Sequence, residues 1–149
     1  MRHGGRWNFL RQNVRMNSAV DASVLWAIFK GERTAEGWME ALQGLRPESE
    51  LVICEVVYAE VAPLFRTLDE FQDKLTLLGI EFDSIRPESA FLAGQMFRKY
   101  RDEGGPRSSL IPDFLIGAHA LCQAGRLVSM DRGYLRRYFP KLRLVTIQP

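Results

Sequence analysis

A chain of 149 residues is long enough to bury one substantial core and short for two. With 46% hydrophobic and 26% charged residues it is excluded from the disordered and fibrous classes. The net charge of +2 hides an asymmetry: Arg2, Arg6, Arg11 and Arg15 stand in an acid-free first fifteen residues, which leaves the rest at −2. No apolar run reaches the ~18 residues of a membrane span, and the N-terminus lacks the apolar centre of a secretory signal, so a cytoplasmic protein is expected. Cys54 and Cys122 lie in apolar contexts without a C-x-x-C partner and read as reduced core residues.

Residues 1–15, with two consecutive glycines and no hydrophobic period, read as a basic, flexible N-terminal extension to a domain spanning 16–149. The first strand is expected at 18–21. A helix follows at 23–30, with Ser23 placed to cap it, and a second at 34–45, with Thr34 as cap. A short apolar strand at 51–53 leads into a helix from Glu55 that Pro63 kinks or breaks. An amphipathic helix at 68–78 ends at Gly79, and the alternation at 80–85 reads as a strand. Pro87 opens a helix to about 101, and 104–109 is a loop. A small-residue-rich helix at 112–123 stops at Gly125. The chain closes with a buried strand at 127–130, a short helix at 134–138 and a strand at 142–147. Strands separated by helices predict an α/β fold with a mostly parallel sheet covered on both faces. In such folds the functional crevice lies beyond the carboxyl ends of the strands.

Four acids stand at or near such positions: Asp21, Glu60, Asp113 and Asp131. Each adjoins an apolar stretch, where a lone carboxylate is costly unless paired, protonated or metal-bound. Two carboxylates ~4 Å apart repel by about 4 kcal/mol at an effective dielectric near 20, so a cluster of them calls for a proton or a cation. Hard Mg²⁺ or Mn²⁺ prefers such oxygens, and can neutralise charge and activate water during phosphodiester hydrolysis. Each acid has a plainer reading. Asp21 can serve the dipole of the following helix, Asp113 can cap one, and Asp131 can be a turn residue. Glu60, between Tyr58 and Val61, is the hardest to place in solvent. His3 and His119 offer too few nitrogens for zinc, and His119 reads as a helix-packed residue. Residues 126–143 carry Arg126, Arg132, Arg136, Arg137, Lys141 and Arg143 against Asp131 alone, a basic patch suited to a polyanion or else an ordinary solvated surface.

Four segments, in this order and spacing, carry a resemblance to a known family: 18–25 (Ser-Ala-Val-Asp-Ala-Ser-Val-Leu), 57–61 (Val-Tyr-Ala-Glu-Val), 112–120 (Pro-Asp-Phe-Leu-Ile-Gly-Ala-His-Ala) and 129–134 (Ser-Met-Asp-Arg-Gly-Tyr). The chain resembles PIN-domain ribonucleases, most of all the VapC-type toxins of type II toxin–antitoxin pairs, over essentially residues 17–147. The resemblance implies a three-layer α/β/α sandwich and Mg²⁺- or Mn²⁺-dependent cleavage of RNA. Asp21 and Asp113 would be direct metal ligands, and Glu60 and Asp131 would complete the site directly or through water. Ser129 matches a supporting hydroxyl, and Ser23 either assists or caps its helix. Arg132, Arg136 and Arg137 are candidate RNA-backbone contacts, and the loop around Arg107-Ser108-Ser109 a candidate groove wall.

Attack by water in line would leave a 5′-phosphate and a 3′-hydroxyl, because no histidine is placed to use the 2′-hydroxyl. The resemblance also implies a small antitoxin partner, for which the helices at 34–45 and 55–78 offer surfaces, and a homodimer. Three alternatives stand beside this reading. They are a non-catalytic PIN-like nucleic-acid-binding or scaffold module, a housekeeping RNA-processing nuclease, and an Asp21-nucleophile phosphotransferase. The last would favour an aspartate where Ser23 stands.

Overall fold

The structure, a computed structural model, describes residues 16–106, 111–130 and 133–148. The expected N-terminal extension, Asp131, Arg132 and residues 107–109 of the predicted loop lie outside them. In chain order the elements are β1 (Met16–Val20), α1 (Ala22–Phe29), α2 (Ala35–Leu45), β2 (Ser49–Ile53) and α3 (Glu55–Val61). They continue through α4 (Leu68–Leu78), β3 (Ile80–Phe82), α5 (Pro87–Asp102), α6 (Ile111–Gln123), β4 (Gly125–Val128), α7 (Gly133–Tyr138) and β5 (Arg143–Val145). Pro63 ends α3 as its sequence context requires, in a 3₁₀ turn over Ala62–Leu64. Gly79 closes α4 with φ 73°, a left-handed conformation that favours glycine.

Among the described residues the strands form one sheet in the order β3-β2-β1-β4-β5, with every neighbouring pair parallel. The chain steps outward from β1 through β2 to β3, then crosses back to β4 and outward to β5. Right-handed crossovers on either side of that reversal place helices on opposite faces, which completes the α/β/α sandwich. The reversal falls between β1 and β4, and in sheets of this kind ligands gather beyond the carboxyl ends of the strands at such a point. No helix among the described residues is long and apolar enough to cross a membrane.

The core fills both sheet faces, with Val20, Leu25, Leu51, Ile53, Phe114, Leu127 and Phe139 essentially inaccessible to water. Phe114 meets the rings of Phe97, Tyr100, Tyr138 and Phe139 at centroid distances of 5.8, 5.6, 5.5 and 6.0 Å, which ties α5, α6 and the end of α7 together. Ser18 and Ser49, buried on neighbouring strands, lie 2.8 Å apart through their hydroxyls. Arg126 Nε donates to Ser18 Oγ at 2.8 Å and its Nη2 to Glu48 at 3.0 Å. One member of the predicted basic patch is therefore committed to the sheet.

Gly117 is set by close approach: a Cβ there would stand 2.7 Å from Phe139 Cε2 and 3.2 Å from Leu135 Cδ2. Gly117→Leu should therefore overpack the α6–α7 contact and lower stability by about 1–3 kcal/mol. Urea denaturation measures it, and an unchanged midpoint would show that α7 yields freely.

Several local expectations are corrected. Thr34 occupies the N-cap position of α2, but its side chain makes no capping bond. The strand expected at 80–85 stops at Phe82, because β2, its only neighbour in the sheet among the described residues, ends at Ile53. Asp83 N–H makes one more bond, to the Ile53 carbonyl at 2.8 Å. Ser84 Oγ and Ile85 N–H then turn to the Glu55 carboxylate, at 2.6 and 2.8 Å. The last strand is likewise shorter than expected. Met130 is exposed rather than buried, and Cys122 is exposed rather than part of the core.

Candidate active site at the carboxyl edge of the sheet

Asp21 immediately follows β1, and its N–H still donates across the sheet to the Val128 carbonyl at 2.9 Å. The residue is 2% exposed. It sits at the N-cap of α1 with extended geometry, φ −75° and ψ 150°, yet its side chain caps nothing. Its Oδ2 instead accepts from Ser129 Oγ at 2.7 Å and from Ser23 Oγ at 3.0 Å. Ser23 thus does not cap α1. As the second residue of the helix it comes too late for that, and its hydroxyl turns back to Asp21.

Ser129 follows β4 and is fully buried, with its N–H bonded to the Val145 carbonyl at 3.0 Å. Its hydroxyl also lies 2.9 Å from the Met130 carbonyl, so two acceptors compete for one proton. Strand pairing in the order β1-β4-β5 therefore sets both Asp21 and its partner hydroxyl. A buried carboxylate is costly unless hydrogen bonded, and the two serines meet that cost on one oxygen.

Asp113 lies in the first turn of α6, half-buried. A single residue, Ala124, separates α6 from β4, so the helix runs antiparallel to that strand and starts level with the carboxyl edge. α6 packs on β1, β4 and α3. Glu60 lies on α3, which leaves the same edge directly after β2. Contrary to expectation it is exposed: Val57 and Val61 form the buried stripe of α3, and Glu60 stands at its margin. Trp26 of α1 donates its indole N–H to the Glu60 carbonyl at 3.2 Å, tying the two helices together.

Whether these groups suit a divalent cation turns on donor chemistry. Asp21, Asp113 and Glu60 offer hard carboxylate oxygens, the kind Mg²⁺ and Mn²⁺ take. The softer alternatives are committed elsewhere. Burial pushes the Cys54 thiol up, against smaller downward pulls from the backbone at Val57 and Val56. His119 is buried, with Nε2 2.9 Å from Asp83 Oδ2. Among the described residues no three His, Cys, Asp or Glu side chains form a metal-holding group. Asp131 lies outside those residues.

Of the candidate RNA contacts, Arg136 and Arg137 are exposed on α7. Arg137 Nη2 donates to Glu103 at 3.1 Å and its guanidinium lies 5.5 Å from the Tyr138 ring centroid. Glu103 is held below the usual carboxylate range chiefly by the Tyr138 hydroxyl, which donates to it at 2.6 Å, with Arg137 and Lys99 adding to the effect against desolvation. Part of the charge on Arg137 is thus already answered by the protein.

A second polar network went unseen in the sequence. Gln123 donates to Asp83 and to the Ser84 carbonyl, and accepts from Arg86 N–H and Ser89 Oγ. Beside it, desolvation opposes the ionisation of Glu55, but Ser84, the backbone amides of Glu55 and Ile85, and His119 together hold its carboxyl below the usual range. The spacing of His119 and Gln123, one helical turn apart on α6, was the available signal. The network pins α6 to the loop after β3.

The chain matches the PIN domain family over residues 19–140 and belongs to it. Comparison with curated proteins gives no significant match. Among solved structures it is similar to a chain of VapBC2 from Rickettsia felis, bound to a DNA fragment from the promoter, at 20% identity and TM-score 0.66. It is also similar to VapBC-1 from nontypeable Haemophilus influenzae, at 18% identity and TM-score 0.67. A third is DNA-bound VapBC from Salmonella typhimurium, at 16% and 0.59. Each likeness covers 88% of this chain and 98% of the other, and identities this low speak to the fold.

Proposed function

We propose that this protein is a divalent-metal-dependent ribonuclease of the VapC toxin kind, acting in the cytoplasm, with residues 16–149 as its catalytic domain. The observation that carries the reading is Asp21, buried where the strand order reverses and fixed by the hydroxyls of Ser23 and Ser129. Oriented carboxylates with hydrogen-bonded outer partners are how proteins hold hard cations. Asp21 and Asp113 would hold Mg²⁺ or Mn²⁺, with Glu60 and Asp131 completing the set. When bound, the ion supplies Lewis-acid stabilisation of phosphoryl charge and makes water more acidic.

The protein's own part is positional. Ser129 and Ser23 fix one carboxylate oxygen of Asp21, and α6 carries Asp113 to the same edge. His119, buried against Asp83, is unavailable to take a proton from a ribose 2′-hydroxyl, which supports hydrolysis to a 5′-phosphate and a 3′-hydroxyl. Arg132, Arg136 and Arg137 would steer the RNA backbone.

The partner reading, a small antitoxin, is supported by a shallow apolar groove between α1, α2 and α4. Ile28, Phe29, Met39, Leu64, Phe65 and Leu77 line it, and Leu77 is 74% exposed. A homodimer belongs to the same proposal.

Purified protein incubated with a mixed RNA pool and Mg²⁺ or Mn²⁺ should cut it, EDTA should stop the cutting, and mapped ends should carry 5′-phosphates. Cleavage undiminished by EDTA, or ends bearing cyclic phosphates, would refute the mechanism. Ser129→Ala removes a hydroxyl donor from Asp21 and should cost about 10–100-fold in cleavage rate or Mn²⁺ affinity. A rate within error of the parent would show that the hydroxyl serves packing alone.

A further inference from the structure

Ser23 and Trp26 on α1 and Lys30 at its C-cap succeed one another at spacings of three and four and so share a face of that helix. Ser23 touches the Asp21 carboxylate, and Trp26 donates to the peptide carbonyl of Glu60. The indole therefore stands beside the acidic site, on the surface between two of its carriers. It is half-buried, packed in part against the core, with its N–H edge anchored. Exposed Lys30 places its ammonium 5.2 Å from the ring centroid, the only cation over that face among the described residues.

We infer that Trp26, with Lys30, is a stacking platform for an unpaired nucleobase flanking the phosphodiester that is cut. This rests on the ribonuclease reading and deepens it by naming the side chains of this chain that would hold a base beside the cut. An indole face stacks any base, and commonly outweighs an exposed cation–π contact. An arriving base would displace the Lys30 ammonium from the ring and leave it within reach of the neighbouring phosphate. A base inside a duplex is already stacked and cannot take the place. Anchoring through the Glu60 carbonyl fixes the distance from platform to site, so the stacked base would set where the backbone crosses the acids.

Binding in EDTA, where the RNA stays intact, tests the platform. The chain has three tryptophans. Trp38 is 2% exposed and shielded from a base, and Trp7→Phe removes the remaining one. In that background a short unstructured RNA should quench the emission of Trp26, and the same sequence annealed into a duplex should not. Trp26→Leu should abolish the quenching and weaken binding roughly 5- to 150-fold. Trp26→Phe keeps a π-face but loses the bond to Glu60, and should recover most of the affinity.

Leu and Phe variants weakened alike would assign Trp26 to holding α3, and would overturn the platform. A Leu variant that binds and cuts like the parent would also overturn it while leaving the nuclease intact. A parent that neither binds nor cuts RNA would overturn the ribonuclease reading and the platform together.

Discussion

Asp21→Asn should leave a folded protein whose cleavage of RNA has fallen by more than about 100-fold, beyond the range that loss of an outer partner costs. Asparagine keeps the volume of the side chain at a site that is 2% exposed, so the core around Val20 and Leu25 has no reason to collapse. What disappears is the charge, together with one of two equivalent oxygens. An amide turned towards Ser23 and Ser129 can still pair with the hydroxyls, because each hydroxyl can accept as well as donate. Stability and activity should therefore separate. Thermal melting and cleavage of the same preparation measure both, and a folded variant that cuts within about 10-fold of the parent would remove Asp21 from the ligand set.

Phe114→Ala should have the largest effect on stability. The ring is fully buried and meets Phe97 and Tyr100 of α5, Tyr138 of α7 and Phe139 after it. Truncating a buried Phe to Ala costs about 3–5 kcal/mol, a large share of the ~5–15 kcal/mol that holds a domain folded. The melting temperature should fall by roughly 6–20 °C. Phe114 also adjoins Asp113, so the cavity opens beneath the first turn of α6. Activity well below the melting transition should therefore fall too. A loss of under ~1 kcal/mol would mean that the aromatic cluster closes over the gap.

Much of the fold was legible because local chemistry and global packing agree. The apolar strands, the Gly79 stop and the break at Pro63 each have a local cause that the fold does not override. Asp21 and Ser129 were legible as strand-end residues. Their mutual hydrogen bond was not, since it joins residues 108 apart and depends on β4 pairing beside β1.

Ser23 shows a sharper limit. A capping serine and a serine that supports Asp21 are the same residue type two positions apart, and the N-cap geometry of Asp21 decides between them. Glu60 misled for a geometric reason. At 3.6 residues per turn it lies about 60° from Val57, which puts it at the rim of the buried stripe rather than within it. The strand expected at 80–85 failed because alternation describes a residue pattern, and a ladder also needs a partner strand as long. Trp26 stands at helical spacing from Ser23 and Lys30, which by itself assigns it no role. Its position matters only once α3 lies against α1.

Mn²⁺ binding, measured by calorimetry on the intact protein and on Asp21→Asn, tests most directly whether the carboxylates at the strand reversal serve a cation. The expected result is saturable binding to the parent that Asp21→Asn removes, in a variant that still melts cooperatively. Equal binding to both, or none to a parent that nonetheless cuts RNA, would contradict it.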